Sequence, residues 1–265
     1  MDIGISTSCF YPMTVEDSLK KVCELGAPTA EIFMNSTCEL EGSIMRELIA
    51  VRDFYGIKIR TLHPFTSAIE TVLLFSEYDR RTEDGIDFYR KYFQAAAELG
   101  AEAIVLHGCR TALHITPEAY AEAYVRLAEA AGEYGVFVAH ENVREHHCAK
   151  PGFMKRVADL SGDLFRAVLD IKQCRRSGVS EFDFIDLLGD RICQVHLSDV
   201  SADGRLDCTV PGDGVYDFGR LFDSLRAAGY DKSAVIELYS GGFGSDGELK
   251  KSMEGLKILS CPEKV

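Results

Sequence analysis

Four short apolar runs of this sequence each end in a residue that can bind a metal ion or carry a proton. These residues are Glu141 after VFVAH, Asp170 after FRAVL, His196 after RICQV and Glu237 after SAVI. They stand 29, 26 and 41 residues apart, and each gap can hold a loop, a helix and the next strand. Such spacing is typical of a parallel β/α barrel, whose strand ends converge on one face. Two Glu, one Asp and one His there would form an anionic pocket for a divalent cation.

Each of these carboxylates, taken singly, has a simpler explanation. An acidic side chain at a buried strand end is costly unless it is paired or bound to a metal. Glu141 or Glu237 could accept backbone N–H bonds, or pair with Arg144 or Lys172. For one glutamate alone, that structural role is the better prediction. Four acid or imidazole groups at four successive strand ends favour a shared metal site instead.

Further candidates follow other apolar runs. His63 in RTLHPF and His107 in IVLHG lie at equivalent positions earlier in the chain. Their imidazoles could ligate a second metal or bind substrate oxygens, or they could simply line the mouth of a barrel. Asp199, shortly after His196, could orient that imidazole or contact a substrate hydroxyl, or it could form a turn.

Residues beside the four strand ends are predicted to have less direct roles. Because neighbouring strand residues face opposite sides, only one of His140 and Glu141 can point inward, and we expect Glu141. His146 and His147 lie in the loop NVREHHCAKPG, which we predict to be solvated. Three basic residues after Asp170 could neutralise a phosphate, or carry solvated surface charge: Lys172, Arg175 and Arg176.

The elements that must position these residues alternate from one end of the chain to the other. Endings such as YGIKIRTL and LGAEAIVL, in which a helix stops at Gly before a strand, are typical of barrel αβ loops. Two connections, 64–78 and 198–217, are predicted to be long loops that carry substrate contacts or lids. The first turn reads STSCFYPMT and lacks GxGxxG, which disfavours a doubly wound dinucleotide fold. The predicted strands are Asp2–Thr7, Thr29–Phe33, Lys58–Leu62, Ala103–Leu106, Val136–His140, Ala167–Leu169, Ile192–His196 and Ala234–Leu238.

Length and composition fit one α/β domain. The 265 residues match the roughly 250 that are typical of a (β/α)₈ TIM barrel, so we predict a single barrel domain over 1–265. No run of about 18 apolar residues predicts a membrane span, and MDIGISTSCF lacks the features of a signal peptide. Nine scattered cysteines without a CxxC pair fit a reducing compartment, and we predict a cytoplasmic protein. The net charge of −13 argues against a nucleic-acid partner.

Six motifs also occur in a characteristic order over most of the chain. They are LHG (106–108), HENV (140–143), LDIKQ (169–173), VHLSD (195–199), PGDGVYDF (211–218) and VIELY (235–239). Together they resemble the xylose isomerase-like TIM barrel superfamily, in its branch of sugar phosphate isomerases and epimerases, which is related to tagatose and psicose epimerases, inosose dehydratase and endonuclease IV. The resemblance implies that Glu141, Asp170, His196 and Glu237 are metal ligands. It also implies that Glu141 and Glu237 form the acid/base pair.

The sequence departs from parts of this pattern. Some epimerases and the endonuclease IV enzymes carry His three residues after the strand-six Asp, where this chain has Gln173, which we keep as a candidate substrate or second-metal contact. Endonuclease IV also uses an Asp-x-His pair after strand seven, but no His occurs between His196 and Glu237. A three-metal nuclease site is therefore incomplete. His63 and His107 match that family's first two histidines, so a second metal stays open.

The resemblance predicts a sugar or sugar phosphate isomerase or epimerase that depends on a divalent ion: Mn²⁺, Co²⁺, Zn²⁺ or Mg²⁺. Proton transfer α to a carbonyl would proceed through an enediolate. The alternatives are an inosose-type dehydratase, an endonuclease IV-like phosphodiesterase, and a sugar-binding barrel without turnover. The expected partner is a small sugar or polyol, and the outer helices could support a homo-oligomer.

Overall fold

Eight parallel strands close into a barrel in the computed structural model, which describes residues 1–205 and 207–261. Each strand pairs with its neighbours in chain order, and the last pairs with the first. The predicted (β/α)₈ barrel is thereby confirmed. The predicted single domain, 1–265, includes Leu206 and 262–265, which lie outside the described residues. The strands are β1 (Asp2–Ser6), β2 (Thr29–Met34), β3 (Lys58–Pro64), β4 (Ala103–Leu106), β5 (Phe137–Glu141), β6 (Arg166–Asp170), β7 (Ile192–Leu197) and β8 (Ser233–Ile236).

Helices cover the outside of the barrel. Their ends follow local chemistry: the Thr116 side chain accepts the N–H of Ala119 and Pro117 opens the helix, while Gly100 ends the longest helix at a φ of 72°. Within the described residues, no helix is long and apolar enough to cross a membrane. The helices are α1 (Val15–Glu24), α2 (Gly42–Tyr55), α3 (Ser67–Leu74), α4 (Asp79–Leu99), α5 (Pro117–Gly132), α6 (Pro151–Ser161), α7 (Ile171–Ser177), α8 (Glu181–Leu188), α9 (Phe218–Ala227) and α10 (Asp246–Ser260).

The prediction of a long loop is wrong for one of the two segments. The segment 64–78 contains α3, whose residues SAIETVLL pack against α4. The segment is helical because its apolar side chains find a packed partner, which sequence inspection of a short run does not reveal. The second segment, 198–217, forms turns and one antiparallel bridge between Asp199 and Thr209 in its described residues.

The barrel interior is closed below its carboxyl end by small apolar side chains. Four of them form a separate buried cluster: Ala103, Val105, Ala139 and Val168. Two residues further along the same strands come His107, Glu141 and Asp170. Because side-chain direction in a strand repeats every two residues, these three also face the barrel axis, above the apolar plug. The chemistry-bearing side chains therefore lie directly above this buried apolar cluster.

Gly108 is a position where the fold admits no side chain. Its φ is +82°, and a Cβ would lie 2.0 Å from Tyr120 Oη and 2.5 Å from His140 Cε1. We expect Gly108→Ala to lower the free energy of unfolding by about 2 to 4 kcal/mol, because overpacking adds to backbone strain. Urea denaturation followed by circular dichroism measures the loss.

Two other glycines serve as controls for this substitution. Gly135 has a φ of +71° but nothing within 4 Å of an added Cβ, so Gly135→Ala isolates the backbone strain. Gly132 lies in α5 with open space around it, and Gly132→Ala should be neutral or stabilising. A loss at Gly108 no larger than that at Gly135 would show that the contact with Tyr120 is unimportant.

Candidate metal centre

The four strand-end residues that the sequence singles out come together at the carboxyl end of the barrel. Glu141 and Asp170 end β5 and β6, His196 lies in β7, and Glu237 directly follows β8. One ligand atom from each lies within 4.8 Å of the others. Glu141, Asp170 and His196 are buried, while the Glu237 side chain is 12% exposed. We call this set the four-residue group.

His196 is held with one ring nitrogen facing the carboxylates. Its Nε2 lies 2.9 Å from Oε2 of Glu31, and its Nδ1 is buried without a hydrogen-bond partner. That bare nitrogen lies 3.4 Å from Glu141, 3.5 Å from Glu237 and 4.0 Å from Asp170. Buried polar atoms are normally satisfied, and an imidazole nitrogen among three carboxylates is a donor set that suits a divalent cation. The residues present therefore fit the predicted metal.

The electrostatics of this group favour positive charge. Burial raises the pKa of Asp170 to about 6, with Lys172 opposing the shift and Glu237 and Glu141 adding to it. Burial lowers the pKa of His196, but the surrounding carboxylates outweigh burial and hold that pKa well above its usual value. Clustered carboxylates that repel one another are stabilised by a cation.

A second group lies beside the first and shares one residue with it. Ligand atoms of His63, His107 and Glu141 lie within 4.8 Å of one another. Nε2 of His63 is 3.7 Å and Nε2 of His107 is 3.3 Å from Glu141 Oε2. The other ring nitrogens point to oxygens: His63 Nδ1 is 3.2 Å from the Pro64 carbonyl and His107 Nδ1 is 3.4 Å from Glu70. When Nδ1 is the donor, each Nε2 can present a lone pair to a cation. A cation bound there would displace any proton on Nε2.

Glu31 is a functional residue that the sequence analysis missed. Its carboxylate accepts hydrogen bonds from Ser6 (3.1 Å) and Thr61 (2.8 Å) and contacts His196 at 2.9 Å. It is fully buried in β2. An acidic residue inside the apolar run TAEIFM was the available signal, because such a residue needs a buried partner.

Glu70 is a second buried carboxylate that the sequence analysis missed, and it contacts His107 as Glu31 contacts His196. It accepts hydrogen bonds from Thr66 (3.0 Å), from Tyr89 (2.9 Å) and from the backbone N–H of Gly108 (2.6 Å). Burial alone would raise its pKa, but His107, the N–H of Gly108 and the Tyr89 hydroxyl lower it to about 2. The sequence analysis missed Glu70 because it interpreted 64–78 as a loop.

Removing the charge of Glu31 should weaken metal binding without removing a ligand. We expect Glu31→Gln to reduce the affinity for Mn²⁺ or Zn²⁺ about 10- to 100-fold, because the carboxylate orients His196 and raises its basicity. Isothermal titration calorimetry measures the affinity. Glu47→Gln, an exposed residue of α2, is the control and should bind as the wild type does. Equal affinity in Glu31→Gln and wild type would show that Glu31 does not tune the site.

Lys172 corrects the expectation of solvated surface charge. Its side chain is 5% exposed, and its Nζ lies 3.2 Å from Asp170 Oδ2 and 2.9 Å from Glu237 Oε2. Burial lowers its pKa, but Asp170 and Glu237 outweigh burial and raise it well above its usual value. The lysine tolerates burial because two carboxylates pair with it. Glu237 therefore pairs with Lys172, as one of the sequence-based alternatives has it, while it also belongs to the four-residue group.

Arg175 and Arg176 are engaged by the protein itself. The Arg175 guanidinium donates to Ser198 and to the carbonyl oxygens of Asp199 and Asp207. Arg176 forms a two-pronged ion pair with the Asp207 carboxylate. Both side chains therefore hold the 198–217 segment against α7.

Asp199 and Gln173 lie outside both groups. The Gln173 side-chain oxygen accepts the backbone N–H of Arg144 at 3.1 Å, and the backbone N–H of Gln173 donates to Asp170 Oδ1 at 3.0 Å. Asp199 is buried, and its carboxylate organises the loop after β7, in the manner of a turn-forming residue. The backbone N–H donors to it are those of Val200, Gly212, Gly214 and Tyr216.

The three remaining histidines of this region belong to neither ligand group. His140 faces outward, where its Nε2 lies 2.5 Å from Tyr120 Oη, so Glu141 takes the inward position as alternation predicts. The prediction of a solvated loop at His146 and His147 is wrong. His146 is 6% exposed, and His147 Nε2 lies 2.8 Å from the Leu113 carbonyl. The two histidines are shielded because the loop bridges back to the segment that follows β4.

A cavity of about 430 Å³ opens beside Glu237 and Lys172. Ser8 and Asn35 supply polar groups to its wall. Its size and its mixture of apolar wall and few polar groups are typical of a small-molecule site. Four aromatic rings, from β2 and from the segments that follow β1, β3 and β8, frame it: Tyr11, Phe33, Phe65 and Tyr239.

The fold agrees with the family that the sequence resembles. Residues 19–259 match the family model of the xylose isomerase-like TIM barrels, and the chain belongs to this family. A curated relative is the uncharacterized protein MJ1311 of Methanocaldococcus jannaschii, which is 23% identical over 256 residues, covering 89% of this chain and 83% of the relative.

Solved structures show the same fold. A D-tagatose 3-epimerase-like protein aligns with a TM-score of 0.79 at 22% identity, covering 98% of this chain and 97% of that one. D-psicose 3-epimerase of Clostridium cellulolyticum H10 aligns at 0.80 and 19%, covering 98% and 99%. The IOLI protein, solved with a zinc atom, aligns at 0.78 and 17%, covering 98% of each chain.

Proposed function

We propose that this protein is a divalent-metal-dependent sugar isomerase or epimerase. The observation that carries the proposal is the bare Nδ1 of His196, buried among Glu141, Asp170 and Glu237 beside a cavity of small-molecule size. The donor set of three carboxylates and one imidazole suits Mn²⁺, Co²⁺, Zn²⁺ or Mg²⁺. When bound, the cation polarises a sugar carbonyl and stabilises the charge of an enediolate.

Glu141 and Glu237 are the proposed acid/base pair. They approach His196 Nδ1 from β5 and from the end of β8, at 3.4 and 3.5 Å. One glutamate takes the proton α to the carbonyl; the C–H electron pair forms the enediolate double bond, and the carbonyl π pair moves onto oxygen. The other glutamate, which enters the step carrying a proton, gives that proton to carbon, on the opposite face for an epimerase, and the carbonyl forms again. The first glutamate then releases its proton to solvent, and the second takes one up.

A second cation at His63, His107 and Glu141 is part of the proposal. It is supported by the two Nε2 atoms that converge on one oxygen of Glu141. We assign no substrate contact to Asp199 or Gln173, because their side-chain oxygens accept hydrogen bonds from backbone N–H groups. The related structures support a sugar or polyol as the substrate, since several carry the names of sugar epimerases. The cytoplasmic location and a homo-oligomeric state stay predictions.

Metal analysis and deuterium exchange test the proposal. The purified protein should contain or take up at least one divalent ion per chain. With a panel of ketoses and keto-polyols in D₂O, proton NMR should show replacement of the α-proton by deuterium, and the product should be an isomer. Loss of water from the product would instead indicate the dehydratase alternative. No metal uptake and no exchange with any member of the panel would refute the proposal.

A phosphodiesterase is the second candidate, because two adjacent cation groups that share a carboxylate suit two-metal hydrolysis. The net charge of −13 weighs against a nucleic-acid substrate. Hydrolysis of bis-p-nitrophenyl phosphate by the Mn²⁺- or Zn²⁺-loaded protein tests this candidate. Phosphate ester cleavage without α-proton exchange would select it over the isomerase.

A further inference from the structure

Lys172 is a buried cation that borders both the four-residue group and the cavity. It lies in the first turn of α7, and its Nζ is 2.9 Å from Glu237 Oε2 and 3.2 Å from Asp170 Oδ2. Its Nζ also stands 5.1 Å from the centre of the Tyr239 ring, which forms part of the cavity wall. The ammonium therefore stands where a molecule in the cavity would meet the carboxylates.

The oxygens that Lys172 contacts are also the ones that face His196. Glu237 Oε2 lies 3.5 Å and Asp170 Oδ2 lies 4.0 Å from the bare Nδ1. A cation bound by these atoms would share the two carboxylate oxygens with the ammonium of Lys172. A substrate oxygen that enters from the cavity would therefore meet both positive charges. An ammonium has three N–H donors. One donates to Glu237 Oε2, whereas Asp170 Oδ2 is an ion-pair contact only, and this leaves N–H donors for a group in the cavity.

We propose that Lys172 is a further catalytic residue, whose ammonium donates a hydrogen bond to the substrate oxygen that becomes the enediolate oxygen. This role rests on the proposed function. As a glutamate removes the α-proton, the carbonyl π pair moves onto that oxygen, and the hydrogen bond from Lys172 strengthens. The ammonium keeps its proton throughout. When carbon is protonated again, the electron pair returns and the hydrogen bond weakens.

A purely structural role for Lys172 makes a different prediction. If the ammonium only neutralises Asp170 and Glu237, its removal should disorder these ligands and weaken metal binding. If it acts on the substrate oxygen, its removal should leave metal binding equal or tighter, because a positive charge next to the cation is lost. Metal affinity and transition-state binding therefore separate the two roles.

The test compares Lys172→Met, which keeps the chain length without N–H donors, with Lys172→Gln as a second, polar variant. For α-proton exchange we expect kcat to fall about 10²- to 10³-fold in Lys172→Met, with KM changed by less than about threefold. Calorimetric Mn²⁺ affinity should be equal or higher. A sugar hydroxamate, which mimics the enediolate, should bind the Mn²⁺-loaded variant at least about tenfold more weakly, while the reduced polyol binds equally. Lys155→Met, an exposed residue of α6, is the control.

The possible results distinguish a catalytic role of Lys172 from a structural one. Wild-type kcat in Lys172→Met, or in Lys172→Gln if the first variant does not fold, overturns the catalytic role. A loss of Mn²⁺ affinity that accompanies the loss of kcat also overturns it, in favour of the structural role. Exchange that is absent from the wild-type protein with every sugar overturns the proposed function, and the role of Lys172 with it.

Discussion

Glu141→Gln is expected to abolish turnover while the barrel stays folded. Loss of a proton-transfer group costs about 10²- to 10⁴-fold in rate, and Glu141 is also a proposed ligand of the cation. Its two oxygens serve both groups: Oε1 lies 3.4 Å from His196 Nδ1, and Oε2 lies 3.3 Å from His107 Nε2. Glutamine keeps the shape of the side chain but has neither the charge nor the basicity. We therefore expect kcat for α-proton exchange to fall below detection.

The matched variant Glu237→Gln should be equally inactive, but it should differ in metal content. Glu237 belongs only to the four-residue group, whereas Glu141 belongs to both groups. Glu237→Gln should therefore keep a cation at His63 and His107 that Glu141→Gln loses. Elemental analysis of the dialysed variants measures this difference, and circular dichroism confirms that they fold.

Glu145→Gln controls for the loss of one negative charge near the site. Glu145 lies in the exposed loop after β5, where it pairs with Arg110, and its replacement should leave exchange unchanged. Full activity in both Glu141→Gln and Glu237→Gln would show that the acid/base assignment is wrong. Activity lost in only one of them would assign proton transfer to that glutamate alone.

The four-residue group could be predicted from two features. One is the apolar run that precedes each residue, and the other is the convergence of strand ends in a parallel barrel. Glu141, Asp170 and Glu237 each close an apolar run, and parallel strands of a barrel bring such ends to one face. No knowledge of specific contacts was needed. The same reasoning placed His63 and His107 at earlier strand ends, and the structure brings them to Glu141.

The residues that orient the ligands could not be predicted in this way, because their partners are distant in sequence. Glu31 contacts His196 across 165 residues, and nothing near Glu31 in the chain indicates that partner. Lys172 follows Asp170 closely but is buried only because Glu237, 65 residues further on, supplies a second carboxylate. A lysine in a short helix is ordinarily solvated, so its burial follows from tertiary contacts alone.

Asp199 shows the opposite case, in which position near the site misleads. Three residues after His196, it stands where a carboxylate can orient an imidazole. The structure turns it instead toward the backbone of 200–216, which needs an acceptor for several N–H groups in a long connection. The loop's own hydrogen-bond requirement outweighs proximity in sequence.

Removing the divalent cation with a chelator is expected to abolish α-proton exchange and to lower the thermal stability of the protein. Without a cation, Glu141, Asp170 and Glu237 repel one another in a buried site, and no Lewis acid polarises the carbonyl. A cation present at 100 times its Kd stabilises the folded state by about 2.7 kcal/mol. For a chain of this size that corresponds to a rise in Tm of roughly 5 to 10 °C.

Readdition of single metals then distinguishes one cation from two. Exchange should return with Mn²⁺, Co²⁺, Zn²⁺ or Mg²⁺, and calorimetry should give up to two sites per chain. His107→Gln should remove the site that contains His63 and His107 and leave the four-residue group, so one site should remain. If exchange returns fully at one equivalent of metal and His107→Gln matches the wild type, the second group binds no catalytic cation. Undiminished exchange after complete chelation would exclude a metal-dependent reaction and would leave Lys172 as the positive charge that stabilises the enediolate.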